Sequence, residues 1–354
     1  QCSYCGFCVG FGCANYSKAS PQTSVLPVLM RKSNFEARTE CEVLKVNLDR
    51  SGKRATGVTY VDAAGTEWEQ PAELVLICAF AFNNVHMMLI SGIGRPYDSK
   101  TREGTVGRNY AYQTYSAIQV FFDDKNFNTF ISSGACGQTA DDFNGDNFDH
   151  GSLGFVGGAS MSCQPTDGRP LANLPVPPGT PRWGARWKNE VKKNFLRSFG
   201  FTSQGSSYAA HANHLDLDPT YTDRFGRPLL RMTFDFPDND IRMSDYVVDK
   251  MELIAKAMNP RQYVVHRRAK PYSVVPNQST HNTGGAIMGA DPKTSAVNKY
   301  LQSWDVPNVF VVGSSAFPQN PGYNPNGTVC ALAYLTADAI VSKYLKSPGP
   351  LVQM

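Results

Sequence analysis

The stretch Trp304-Asp-Val-Pro-Asn-Val-Phe-Val-Val-Gly-Ser-Ser315 is a polar lead-in, an apolar strand and a small-residue turn. Before it in the chain stands His281-Asn-Thr-Gly-Gly-Ala-Ile-Met-Gly289, and after it Asn324-Pro-Asn-Gly-Thr-Val-Cys-Ala-Leu-Ala-Tyr-Leu-Thr-Ala-Asp-Ala-Ile340. Together the three segments bring a residue suited to general-base work, a second polar group and the N-terminus of a helix to one strand end. That layout suits oxidation–reduction chemistry, and a strand followed by a long helix, over about residues 327–345, belongs to an α/β (α+β) fold.

Working outward, Glu42-Val-Leu-Lys-Val-Asn-Leu48 and Ala55-Thr-Gly-Val-Thr-Tyr-Val61 read as strands joined by a turn at residues 49–53. Glu73-Leu-Val-Leu-Ile-Cys78 does not alternate and reads as a fully buried strand. A helix-like Asn84-Val-His-Met-Met-Leu-Ile90 follows and stops at Ser91-Gly-Ile-Gly94, where glycine supplies the left-handed conformation that ends helices. From about Ala111 the texture changes to period-two strands, such as Tyr115-Ser-Ala-Ile-Gln-Val-Phe-Phe122, separated by loops rich in Gly, Asn and Asp. Pro228-Leu-Leu-Arg-Met-Thr-Phe-Asp-Phe236 and a helix over residues 240–258 complete a second domain that ends near Thr280. The expected order is a cysteine-rich loop (1–20), part of a first domain (21–110), a second domain on an antiparallel sheet flanked by helices (111–280), a return to the first (281–346) and a tail (347–354).

With 354 residues the chain is long enough for about two domains. Its net charge of +4 does not argue for nucleic acid, and no basic run alternates with aromatics as a nucleic-acid groove requires. No stretch approaches 18 uninterrupted apolar residues. A basic segment, residues 182–199, carries Trp183 and Trp187; it reads as a solvated helix, with a membrane or partner surface as the alternative. The chain opens on Gln1 and runs straight into cysteines, so it is expected to be a fragment.

The order and spacing of several short motifs resemble the glucose-methanol-choline oxidoreductase family. They are Gly57-Val-Thr-Tyr-Val-Asp62, residues 73–94, Val106-Gly-Arg-Asn109, Leu217-Asp-Pro219 with Asp223-Arg-Phe-Gly-Arg-Pro-Leu-Leu230, and the two C-terminal segments. Within the family, the cysteine cluster and Val25-Leu-Pro-Val-Leu-Met30 are similar to the flavoprotein subunits of bacterial membrane-bound gluconate 2-dehydrogenases and related sugar dehydrogenases. The resemblance implies an FAD-binding domain, residues 21–110 and 281–346, and a substrate-binding domain, 111–280. It departs at the nucleotide-binding Gly-x-Gly-x-x-Gly. Gly92-Ile-Gly-Arg-Pro-Tyr97 lacks the third glycine and follows a helix, so roughly the first third of the protein is expected to lie outside this chain.

Oxidising a secondary alcohol by hydride transfer needs a group that takes the hydroxyl proton, and histidine suits that task near neutral pH. Of six histidines, His281 matches the family's base; a structural histidine is the alternative. Asn324 falls at the family's second catalytic position and would orient the hydroxyl, with a turn asparagine as the bland reading and Asn326 as a substitute. Asn326, Gly327 and Thr328 open a helix whose N–H groups and dipole would face the flavin pyrimidine and favour an anionic reduced flavin. By the same resemblance Gly313 and Ser314 approach the FAD diphosphate and ribityl chain, and Val43 the adenine. His86, His150, His211, His214 and His266 have no such setting and read as hydrogen-bonded or surface residues, although His211-Ala-Asn-His214 has a metal-like look.

Nine cysteines are present. Scattered ones such as Cys78 read as small buried hydrophobes. Cys2-x-x-Cys5-x-x-Cys8-x4-Cys13 is spaced for iron–sulfur ligation, with disulfides or a zinc site as alternatives. The resemblance implies a three-iron (3Fe-4S) cluster on three cysteines, read as Cys5, Cys8 and Cys13 with Cys2 spare. A cluster beside FAD implies one-electron transfer to a cytochrome c subunit, alongside a small subunit. Membrane attachment would run only through those partners, at the periplasmic face of the inner membrane. The expected activity is a dehydrogenase acting on a sugar or sugar acid, D-gluconate at C2 first among them. An FAD-dependent glucose or polyol dehydrogenase, an oxygen-using alcohol oxidase of the same fold and a non-catalytic electron-transfer subunit are the rivals.

Overall fold

A computed structural model of the chain describes residues 1–5, 12–127, 137–165, 176–275 and 280–353. Its helices are α1 (Leu26–Leu29), α2 (Ala81–Ile90), α3 (Gly184–Asn194), α4 (Asp238–Ala257) and α5 (Asn326–Ala339). The strands are β1 (Glu42–Leu48), β2 (Ala55–Val61), β3 (Glu67–Pro71), β4 (Val75–Ile77), β5 (Ala111–Tyr112), β6 (Thr114–Phe121) and β7 (Gln138–Ala140). They continue as β8 (Ala159–Pro165), β9 (Ser198–Gly205), β10 (His214–Thr222), β11 (Pro228–Thr233), β12 (Gln262–His266), β13 (Asn282–Thr283) and β14 (Val309–Val311). Strands and helices mix, as the α/β reading expects. Two compact units result. The first is Gln1–Thr39, Thr114–Gly205 and Ile241–Arg268; the second is Glu40–Gln113, Ser206–Asp240 and Ala269–Met354.

The first unit is built on an antiparallel sheet in the order β12-β6-β9-β8-β7. Alternation along β6 sends Ile118 and Val120 to one face, where Phe199 and Phe201 of β9 and Ala159 and Met161 of β8 join them. Helix α4 lays Met243, Val247, Met251 and Ala255 on that face; a four-residue step keeps them on one side of a helix. The approach is close, since a Cβ at Gly205 would stand 2.6 Å from the Met243 methyl. Met251 is fully buried. Met251→Ala should therefore destabilise this unit by about 2–5 kcal/mol, read as a lower denaturation midpoint, while Leu253→Ala, at an exposed position of the same helix, should leave the midpoint near wild type.

The second unit holds the meander β1-β2-β3 and a parallel pair, β4 with β14 in the register Val75↔Val309. It also holds the β10–β11 ribbon and the two-residue pair β5–β13. Strands β1 and β2 have the bounds that alternation gives them. The 73–78 run is shorter and less enclosed than expected: Val75 and Ile77 are buried, but Leu76 is 48% exposed and Cys78 is exposed. Successive side chains point to opposite faces, and the described residues cover the face of Val75 and Ile77 while the face of Leu76 is left open. Helix α2 buries Ala81, Asn84, Val85 and Met88 and ends at Gly92, whose φ of 68° is the left-handed stop read from sequence. That role makes Gly92-Ile-Gly94 a helix terminus, not a phosphate loop. Among the described residues no helix is long and apolar enough to cross a membrane.

Candidate active site

All the chemistry read from the sequence in residues 281–328 falls in the second unit, where backbone hydrogen bonds lay one segment along another. Gly284 N, Ala286 N and Met288 N donate to the carbonyls of Ser314, Ser315 and Ala316, at 3.1, 3.0 and 2.8 Å. Ser314 Oγ returns a bond of 2.8 Å to the Asn282 carbonyl. The residues after His281 are thus fixed against the turn that closes β14. Glycine is required here: Gly284 has φ 82°, and a Cβ on it would sit 2.0 Å from the Asn109 carbonyl oxygen.

The turn itself is held by Asn84, which sequence reading places on a helix and gives no role. It is fully buried; its Oδ1 accepts from Ala79 N at 2.8 Å, and its Nδ2 donates to the Val312 carbonyl at 3.2 Å and to Ser315 Oγ at 2.9 Å. One side chain therefore ties the segment leaving β4 to the segment leaving β14. Loops at the carboxyl ends of parallel strands are where open α/β sheets bind ligands. Asn84 falls on the buried stripe of α2, and a polar residue in that register was the available signal.

His281 is half-buried with its backbone at φ 58°, a left-handed conformation uncommon for a residue with a side chain. Burial lowers its pKa from the ordinary value of 6.5, so the neutral, proton-accepting imidazole is favoured. Its carbonyl accepts a 2.5 Å bond from Asn320 Nδ2. Next to it, Asn282 Oδ1 accepts from the Tyr110 hydroxyl at 2.5 Å; burial pushes that phenol's pKa up, so it stays a donor. Asn324 is exposed and lies in the loop that Asn320 opens. Gln113, which is buried, clamps this loop by donating through Nε2 to the carbonyls of Pro321 and Tyr323 at 2.7 and 2.8 Å. His281 and the loop bearing Asn324 are therefore bonded to each other, with Asn320 and Gln113 supplying side chains that sequence reading missed. Neither has a local periodicity that would have marked it.

Asn326, Gly327 and Thr328 form the exposed first turn of α5, which has Pro325 at its N-cap and no side-chain cap. The free N–H groups of such a turn suit an acceptor that carries negative charge, as a reduced flavin ring does. Space is open there, since a Cβ on Gly327 would meet nothing within 4 Å. Gly313, at φ 140°, lets the backbone come close where a larger residue is strained. These residues fit a flavin. Val43 lies on β1, 39% exposed, with its carbonyl accepting from Arg227 Nη1. The strand borders a cleft of about 440 Å³ lined by Cys41, Glu42, Val61, Asp62, Arg224 and Phe225.

Of the four N-terminal cysteines, Cys8 lies outside the described residues. Cys2, Cys5 and Cys13 are free thiols, so no described cysteine of this segment is in a disulfide. Cys2 Sγ accepts from Tyr4 N at 3.4 Å and Cys13 Sγ from Ser17 N at 3.3 Å, and backbone donors, that of Lys18 foremost, lower the pKa of Cys13. Asn15 Nδ2 joins the two halves of the segment through the Gln1 carbonyl at 3.0 Å. Among the described residues no three His, Cys, Asp or Glu side chains form a metal-ligand group, so Cys2, Cys5 and Cys13 alone do not make a complete ligand set. Two of the remaining histidines have protein partners: His86 Nε2 meets the Pro228 carbonyl at 2.7 Å and His214 Nδ1 the Ala212 carbonyl at 2.8 Å.

Comparison with known proteins bears on the family and the fold. The GMC oxidoreductase N-terminal and C-terminal family models match residues 1–115 and 210–333. The chain belongs to the GMC oxidoreductase family. It is 52% identical over 355 aligned residues to the gluconate 2-dehydrogenase flavoprotein of Pantoea cypripedii, covering 99% of this chain and 58% of that protein. It is 28% identical to the 2-methyl-1,2-propanediol dehydrogenase of Mycolicibacterium austroafricanum, covering 87% of this chain and 55% of the relative. The chain thus spans little more than half the length of these relatives. An Aspergillus oryzae formate oxidase shares the fold with a TM-score of 0.58 at 16% identity, over 87% of this chain and 61% of that one.

The frame itself is testable. Gly284→Ala, which drives a methyl into the Asn109 carbonyl, should lower the melting temperature of the flavin-loaded complete protein and abolish turnover. Glu69→Ala, on the exposed strand β3, should leave turnover intact.

Proposed function

We propose that this chain carries the alcohol-oxidising half of an FAD-dependent dehydrogenase that acts on a secondary alcohol of a sugar or sugar acid, with D-gluconate at C2 the first substrate to try. The observation that carries the proposal is the half-buried His281, favoured in its neutral form and bonded through Asn320 to the loop bearing Asn324. Bound FAD would supply the hydride acceptor, held by Asn326, Gly327 and Thr328 at the start of α5 and by Gly313 and Ser314 at the turn. Val43 is the proposed adenine neighbour. His281 takes the proton of the substrate hydroxyl, and the Asn324 amide holds that hydroxyl so that the carbon hydrogen faces the cofactor. Removing the proton as the hydride leaves avoids a protonated carbonyl, which is why a neutral imidazole near pH 7 is the suitable base. Substrate identity rests on likeness to the Pantoea flavoprotein.

The proposal extends to the N-terminal cysteines: Cys5, Cys8 and Cys13, with Cys2 as the spare thiol, hold a three-iron cluster that would supply one-electron transfer. The spacing and the N–H···S bonds to Cys2 and Cys13 support it. A small subunit and a cytochrome c subunit, in a periplasmic complex, are the partners this chemistry calls for.

In the complete protein His281→Ala should lower kcat by about 10²–10⁴-fold, the usual contribution of a positioned base, with flavin absorbance unchanged. Because burial lowers the imidazole pKa, the base stays unprotonated to a lower pH than a solvated histidine, and kcat/KM should fall on the acid side with a midpoint below 6.5. A midpoint above 6.5, or an active His281→Ala, removes the base assignment. Anaerobically purified holoenzyme should contain iron and acid-labile sulfide, and Cys5→Ser with Cys13→Ser should remove both while flavin stays; a metal-free wild-type protein contradicts the cluster.

A further inference from the structure

We propose that Asn320 is a positioning residue for the base: its buried side-chain amide holds the carbonyl of His281 and so fixes the backbone conformation that aims the imidazole. This rests on the assignment of His281 as base. Asn320 is fully buried, and its Nδ2 donates to the His281 carbonyl at 2.5 Å. The residue it grips stands at φ 58°, a conformation that a side-chain-bearing residue keeps only when its surroundings impose it. The Asn320 bond is one of those impositions.

Asn320 is itself anchored on both sides of its backbone. Its N–H donates to the Ser207 carbonyl at 2.9 Å, and its carbonyl accepts from Ser207 N–H at 3.0 Å. Ser207, also fully buried, donates through Oγ to Asp240 Oδ2 at 2.6 Å. Asp240 is buried as well and further accepts from Tyr208 N and Asn239 Nδ2. A buried line of contacts therefore runs from Asp240 through Ser207 and Asn320 to His281. The far end is a carboxyl group with several donors, and the near end is one amide hydrogen on the carbonyl of a residue in the left-handed conformation.

Among the described residues the Asn320 side chain has one hydrogen-bond partner, the His281 carbonyl reached by Nδ2, and Oδ1 has none.

The experiment uses the flavin-loaded complete enzyme with D-gluconate as the probe substrate. Asn320→Asp keeps the size and replaces the donating NH2 by oxygen, and Asn320→Leu removes both polar atoms. In either variant kcat and the rate of flavin reduction should fall about 10–100-fold with KM within about threefold of wild type, the loss expected when a reacting group is misplaced by about an ångström. Released from its fixed conformation, the ring is more hydrated, so the acid limb of kcat/KM should move up toward 6.5, the ordinary histidine value. Amide exchange at residues 280–284 should quicken in the variants, a readout independent of turnover. Wild-type kcat, pH profile and exchange in a folded variant overturn the proposal, as does loss of folding in both, which assigns Asn320 a structural role. His281→Ala measured beside them separates the two readings: an active His281→Ala sinks the base, while a silent one next to wild-type Asn320 variants sinks only the positioning role.

Discussion

Ser314 is bonded through both its side chain and its carbonyl: Oγ donates to the Asn282 carbonyl, and the Ser314 carbonyl accepts from Gly284 N. This reciprocal pair fastens the segment after the histidine to the turn that ends β14, and the rest of the site follows from it. With that turn as reference, Asn84 sets its distance from the end of β4, and Gly284 and Gly285 let the chain pass where any Cβ would strike Asn109 or Val85. The loop before α5 is then hung from Asn320 and Gln113. Four segments distant in sequence are thus held by buried side-chain amides, each making one to three bonds.

Such a design concentrates energy in few contacts. A buried amide that loses its partner costs about 1–3 kcal/mol, so each of these bonds is a large share of the margin by which a domain stays folded. The apolar parts work differently. In the first unit, the stripe Met243, Val247, Met251 and Ala255 against the sheet spreads its contribution over many weak contacts. The first unit needs apolar bulk in the right places, whereas the second needs particular donors and acceptors.

This difference explains what the sequence could reveal. Strands β1 and β2 and helix α4 were legible because a buried face imposes a period of two or 3.6 on the residues. Strands β8 and β9 were not. Ala159-Ser-Met-Ser-Cys163 and Ser198-Phe-Gly-Phe-Thr-Ser203 mix small and polar residues into any alternation, and the pairing of β9 with β6 and β8 is a tertiary fact. The exposure of Leu76 was hidden because an unbroken apolar run says nothing about which faces are covered. The assignments of His281, Ser314 and Asn324 come from motif resemblance. Asn84, Gln113 and Asn320 were hidden because a buried amide is recognised by the groups it joins. Those carbonyls lie 228 residues away for Asn84, 210 for Gln113 and 39 for Asn320.

The central claim is that the His281 imidazole and the Asn324 amide serve one substrate hydroxyl. A structure of the flavin-loaded complete enzyme with a bound, slowly turned-over sugar acid tests it most directly. The account predicts one hydroxyl oxygen within hydrogen-bond reach of both side chains, about 2.6–3.2 Å from each, with its carbon facing the flavin. A sugar acid bound at the flavin with either side chain turned away from that hydroxyl would contradict it.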